Sequence, residues 1–162
     1  MGSYASVDEL RKVVGSELGV GDWIEVTQEK IDAFAALTGD EQWIHVDVER
    51  AAASELGSTI AHGYLVLALV APAVMGLIQI DDARQLLNYG MNRVRFPAPV
   101  RVGSRVRGRL TLTSVTDSGA GFLVDVAAVV EVEGQSKPGC VAQVLTYVDP
   151  VAPTGNGDGA AS

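Results

Sequence analysis

Between Leu56 and Ile80 the chain carries no aspartate, glutamate, lysine or arginine, and its core from Tyr64 to Ile78 is almost wholly apolar. A segment apolar on every side has to be enclosed, by lipid or by the rest of the protein. A bilayer span needs about 20 consecutive apolar residues. This core is shorter, contains Pro72 and Gly76, and is flanked by Glu55, Asp81 and Asp82 rather than by cationic anchors. It therefore reads as one helix, from about His62 to Ile78, buried inside a globular domain. No membrane span is expected.

The rest of the chain supplies what would bury it. A length of 162 residues suits one domain, and a chain of that size hides roughly two-thirds of its unfolded surface. The first half reads as helical. Ser6 and Glu9 form a capping box, and Val7, Leu10, Val14 and Leu18 recur at helical spacing as far as Gly19. Trp23 to Val26 is a short strand. Thr27 caps a second helix whose Ile31, Phe34 and Leu37 share a face and which stops at Gly39. Asp47 caps a short third helix through Ala53, ended by Gly57. The second half alternates apolar and polar residues over Leu87–Phe96, Ser104–Thr116, Gly121–Val132 and Gly139–Val148, with Gly and Pro between the runs. Helices followed by four strands with short turns indicate an α+β domain, an antiparallel sheet curled around the apolar helix. The domain is expected to span residues 1–149, with a flexible tail over 150–162, where little can be buried.

Composition removes several classes of function. A net charge of -8 would repel a polyanion, so no nucleic-acid partner is expected. Cys140 has no second cysteine to pair with, which fits a reducing, cytoplasmic setting. No metal is expected, since no cysteine and histidine cluster has zinc spacing. No secretory signal is visible. Met1–Ser6 matches the N-myristoylation pattern only formally, and is read as an ordinary start. Phosphate-binding, dinucleotide and serine-nucleophile motifs are missing from the sequence.

The chain has two histidines, His45 and His62. Gly39 ends a helix, so Asp40 begins an irregular stretch of Thr38-Gly39-Asp40-Glu41-Gln42-Trp43-Ile44-His45 that can bring carboxylate and imidazole together. Such a pair can hold one water, one group accepting its proton while the other donates elsewhere. The same spacing also suits a loop-ending Asx turn and a hydrogen-bonded core histidine. Downstream, Ala61-His62-Gly63-Tyr64 opens the apolar helix. A glycine there offers an unpaired N–H at the positive end of the helix dipole, as an oxyanion hole requires. It also suits simple close packing. Arg93, Arg95, Arg101, Arg105, Arg107 and Arg109 are six of the twelve basic residues and have no acid among them. They form a stripe suited either to phosphates or to a solvated sheet face.

At these residues the chain resembles the MaoC-like (R)-specific enoyl-CoA hydratases. Phe34 to Leu65 carries their hydratase-2 pattern: Thr-Gly-Asp, a histidine five after the aspartate, then Ala-His-Gly. Asn88-Tyr89-Gly90 and Asn92 to Pro99 are similar to the family's following strand and turn. The resemblance covers about Trp23 to Val148. It implies a hot-dog fold, a homodimer joined sheet edge to sheet edge, and reversible hydration of a trans-2-enoyl-CoA to the (3R)-hydroxyacyl-CoA. On it, Asp40 and His45 would activate water, and the Gly63 N–H would bind the thioester oxygen. His62, Tyr64, Arg93 and Arg95 would contact substrate. No cofactor is implied beyond the coenzyme A of the substrate itself.

Two departures bear on the substrate. Gln42-Trp43 replaces the Asn-Pro of many members, a variant associated with a nodulation-protein-N-like subgroup. Ala71 stands where some members have a serine. Dehydration of a (3R)-hydroxyacyl carrier-protein thioester, hot-dog thioester hydrolysis, and a non-catalytic acyl-thioester-binding subunit are the alternative readings.

Overall fold

The computed structural model describes residues 3–151. The myristoylation pattern falls partly outside them, and the expected tail lies almost wholly outside them. Its Pro150 instead ends a strand.

The curled sheet is built where the alternating runs predict it. Its strands are β5 (Ala83–Arg95), β6 (Arg105–Ser118), β7 (Gly121–Val132) and β8 (Cys140–Pro150). All pair antiparallel, with β6 and β8 flanking β7 and β5 outside β8. Inward positions of β7 are Val124, Val126, Ala128 and Val130, all buried, and β8 contributes Cys140, Ala142 and Val144. The other edge is closed by β2 (Glu17–Val20) and β3 (Ile24–Glu25), both antiparallel to β6. A separate parallel pair joins β1 (Ser3–Tyr4) to β4 (Gln79–Ile80).

The first expected helix is much shorter than its spacing suggests. Ser6 does cap α1, but α1 runs only over Val7–Arg11. The chain then turns through Gly15, whose φ is 89°, and its N–H donates to Leu112 O at 2.8 Å. Leu18 belongs to strand β2 rather than to a last helical turn. Pairing with β6 overrides a local pattern that suits either state.

Helix α2 (Gln28–Thr38) starts and stops as expected, capped by Thr27 and closed by Gly39 at φ 77°. Between it and the central segment lie α3 (Trp43–Val46) and α4 (Val48–Ala52), the latter capped by Asp47. His45 therefore sits on a single helical turn and not in an irregular loop.

The charge-free segment lies in the curl of the sheet, but as two pieces, α5 (Gly63–Ala68) and α6 (Ala71–Leu77). Pro72 explains the break, because it cannot donate to Ala68 O and its ring crowds that carbonyl. Val66, Val70, Val74 and Ile78 form the buried stripe, packed with Leu110, Leu112, Val124 and Val144. The expectation that the segment is enclosed on all sides is not met. Tyr64 is 72% exposed and Met75 64%, and Ala68 and Ala71 between them are also exposed. Among the described residues no helix is long and apolar enough to cross a membrane.

Close approach of α6 to the sheet depends on a glycine. A Cβ placed on Gly108 of β6 would lie 2.9 Å from Ala73 Cβ, inside van der Waals contact. Gly108→Val should therefore push α6 from its seat and cost about 1–3 kcal/mol, the usual scale of overpacking. Urea unfolding checks this. A variant as stable as the parent would mean that α6 is not held against β6.

Candidate active site

Four chain segments meet where α2 ends, α3 turns, α5 begins and β5 leaves the sheet. The left-handed Gly39 swings the chain out of α2, and the following residue, Asp40, is half-buried. Its carboxylate Oδ1 accepts from Gln42 Nε2 at 3.3 Å, and its N–H donates to Thr38 Oγ1 at 3.4 Å. His45 is 6% exposed and His62 2%. One ligand atom of each of Asp40, His45 and His62 lies within 4.8 Å of the others. Groups less than about 5 Å apart can share a water, since two hydrogen bonds of about 2.8 Å meet on it.

The hydrogen bonds assign the imidazole tautomers. His45 Nδ1 lies 2.7 Å from Ile60 O. A carbonyl only accepts, so Nδ1 carries the hydrogen and Nε2 keeps a lone pair. His62 Nε2 lies 2.8 Å from Asp40 O, so there the hydrogen is on Nε2. His62 Nδ1 is buried and meets no protein partner among the described residues. The two rings stack at 3.7 Å between centroids, 25° from parallel. Phe34 of α2 flanks His62 at 5.1 Å.

Gln28 is a site-building residue that the sequence pattern did not single out. Its Nε2 donates to His45 O at 2.8 Å and to Asp32 Oδ1 at 2.7 Å, and its Oε1 accepts from Thr59 Oγ1. It ties α2 to the turn that carries His45. A lone glutamine at a helix start gives no signal of this. Gln42, noted only as a departure from a motif, is the group that steadies the Asp40 carboxylate.

Gly63 is the first residue of α5, so its N–H has no intrahelical acceptor. It lines a cavity of about 330 Å³ together with His45, Ile60, Val66, Phe96 and Val100. A Cβ on Gly63 would lie 3.0 Å from the Phe96 ring. Close packing therefore also requires the glycine. A second, apolar cavity of about 240 Å³ lies further along the central segment, between Ala71, Val74 and Met75 and the strand residues Leu86, Met91 and Val144.

The same three residues form a possible cation site by proximity alone. A first-row ion needs ligand nitrogens at about 2.0–2.1 Å, with their in-plane lone pairs converging on it. Two rings stacked 3.7 Å apart and 25° from parallel have no common in-plane point at that distance.

Comparison with known proteins gives one family and one fold. The family described as "MaoC like domain" matches residues 9–135. The chain is 47% identical over 150 residues to 3-hydroxyacyl-thioester dehydratase Z of Mycobacterium tuberculosis, covering 91% of this chain and 99% of that protein. It is 44% identical over 146 residues to nodulation protein N of Rhizobium leguminosarum bv. viciae, covering 88% and 91%. The unliganded R-hydratase PhaJ1 from Pseudomonas aeruginosa has a similar fold, with a TM-score of 0.73 at 22% identity, covering 91% of this chain and 87% of that one.

The basic stripe divides on inspection. Arg105, Arg107 and Arg109 of β6 are already paired, with Glu133, Glu131 and Glu17. Trp23 covers Arg107 at 4.3 Å. These three serve the sheet face. Arg93 and Arg95 make no ion pair among the described residues. Arg93 holds φ 53° at a bulge of β5, and its charge opposes the upward shift that burial gives the Asp125 carboxyl. Arg95 precedes Phe96, a wall of the first cavity. Cys140 is buried, its thiol pushed up to about 11 by desolvation, as an inert packing residue would be.

Hydrogen bonds from Arg109 and Arg107 hold Glu131 below the usual glutamate range. A carboxylate whose folded pKa is depressed adds stability above its unfolded value near 4.3. That contribution is lost as pH falls through the folded value. Glu131→Gln should lower the melting temperature at pH 7, and the gap to the parent should close in acid below that range. Equal melting temperatures at pH 7 would mean that these pairs contribute nothing measurable.

Proposed function

Because the chain belongs to the MaoC-like family of acyl-thioester hydro-lyases, we propose that it catalyses reversible hydration of a trans-2-enoyl-CoA to the (3R)-hydroxyacyl-CoA. The observation that carries this reading is the closeness of Asp40 and His45, one ligand atom of each within 4.8 Å of the other, beside a cavity that His45 and Gly63 line together.

The chemistry follows from that geometry. Water bridges the Asp40 carboxylate and His45 Nε2, both acting as acceptors. Its oxygen adds to C3 of the enoyl group. Asp40 takes the proton released and returns it to C2 from the same face, so the enzyme ends unchanged. Charge that gathers on the thioester oxygen meets the Gly63 N–H. The thioester itself makes C2 able to carry this charge, so the proposed step uses no metal or redox group.

Two features support a homodimer. Strand β5 is an open sheet edge with Leu87 and Tyr89 exposed, and the adjoining face of the central segment is bare at Tyr64, Ala68, Ala71 and Met75. A second copy laid along β5 would cover both. The apolar cavity against Ala71 opens beside that edge and suits the acyl chain, with the coenzyme A end left near Arg95. Tyr64, exposed next to Gly63 and set edge-on to Phe96 at 6.4 Å, is our candidate for a further substrate contact. A reducing cytoplasm suits the single buried thiol.

The relative named as a 3-hydroxyacyl-thioester dehydratase favours a second reading, the same residues run in reverse, on a coenzyme A or a carrier-protein thioester. Rates on matched coenzyme A and carrier-protein substrates separate the two. Release of free thiol would instead reveal a thioesterase, and binding without turnover a non-catalytic subunit.

Asp40→Asn and His45→Ala should each lower turnover of crotonyl-CoA by about 10²–10⁴-fold, with unchanged circular dichroism. Full activity in both variants would end the proposed mechanism. Arg95→Ala should raise the KM for coenzyme A thioesters about tenfold, the scale of one charge-assisted hydrogen bond. An unaltered KM would leave that arginine to the solvent.

A further inference from the structure

We propose that His62 is a positioning residue, holding Asp40 and His45 in register without touching substrate; this rests on the hydratase reading. It is 2% exposed and lines neither of the two cavities described above. It reaches both reacting groups through the protein instead.

The two contacts are of different kinds. Its Nε2–H donates to Asp40 O at 2.8 Å, which pins the backbone from which the carboxylate hangs, 22 positions earlier in the chain. Its ring face lies against the His45 ring at 3.7 Å, while Phe34 supports its other surroundings at 5.1 Å. The bond from His45 Nδ1 to Ile60 O fixes one point of that ring, and the stack fixes its plane. Together they aim the Nε2 lone pair.

An imidazole supplies both contacts at once. Phenylalanine has the ring face and no donor. Glutamine has a donor at similar reach and no ring. Its Nδ1 is buried and meets no protein partner among the described residues, so the polar contact that this ring makes with the protein is the bond to Asp40 O.

The test is a mutant cycle on crotonyl-CoA hydration by the full-length protein. His62→Phe and His62→Gln should each lower kcat about 10–100-fold, the cost of slight misplacement, with KM within threefold of the parent. In an Asp40→Asn, His45→Ala background His62→Phe should have little further effect, since neither reacting group remains to be aimed. Effects that multiply independently, or a fully active His62→Phe, would overturn the proposal. Nitrogen-15 spectra of the imidazoles provide a readout without turnover. The parent should show His62 protonated at Nε2 and His45 at Nδ1, and His62→Gln should move the His45 ring signals. Unmoved signals would overturn the clamp. A parent that shows the clamp in the spectra but hydrates no enoyl thioester would instead sink the hydratase reading alone.

Discussion

The seating of the charge-free segment in the curl of the sheet is the contact on which the rest depends. Val66, Val70, Val74 and Ile78 present one buried stripe to Leu110, Leu112, Val124 and Val144. Each fully buried aliphatic side chain contributes about 1.5–3 kcal/mol, so the segment has one depth and one rotation in the sheet. Gly108 and Ala73 set the distance. With the segment placed, its first residue and the histidine before it are placed too. The oxyanion candidate and the buried imidazole thus take their positions from hydrophobic packing, not from the polar groups around them.

Polar contacts then tune what packing has located. Gln28 anchors the turn of His45, Gln42 steadies the Asp40 carboxylate, and His62 links the two sides. The bonds of Gln28 and His62 join parts of the chain distant in sequence, while that of Gln42 is local to the stretch that carries Asp40. The bare side of the same segment has the opposite character. It offers apolar surface next to an unpaired strand edge, as expected of a face that another copy would cover.

Much of this was legible in the residue order because local rules sufficed. Thr27 and Gly39 delimit α2 by their own chemistry, and the alternating runs of β7 and β8 could bury only one face. The Asp40 and His45 pair was legible through its spacing and the family resemblance. What was missed depends on partners distant in sequence. Val7 to Leu18 keep a helical spacing that a short helix followed by a strand satisfies equally, and only pairing with β6 decides. Arg105, Arg107 and Arg109 look unopposed along their own strand, while their glutamates come from β2, β7 and the turn after β7. Pro72 was visible from the start, and its break in the central helix follows from its missing donor. The resemblance implies a substrate contact for His62; its burial follows from how Phe34 of α2 and His45 of α3 pack against it, which no local pattern shows.

The proposed reaction turns on a single water delivered from one face by two side chains. Hydrating crotonyl-CoA in deuterium oxide and resolving the product by NMR tests this most directly. One enantiomer, (3R)-hydroxybutyryl-CoA, with deuterium in a single C2 position on the same face as the new hydroxyl, is the expected result. Both C2 positions labelled at random during a single addition, or a mixture of C3 enantiomers, would contradict it.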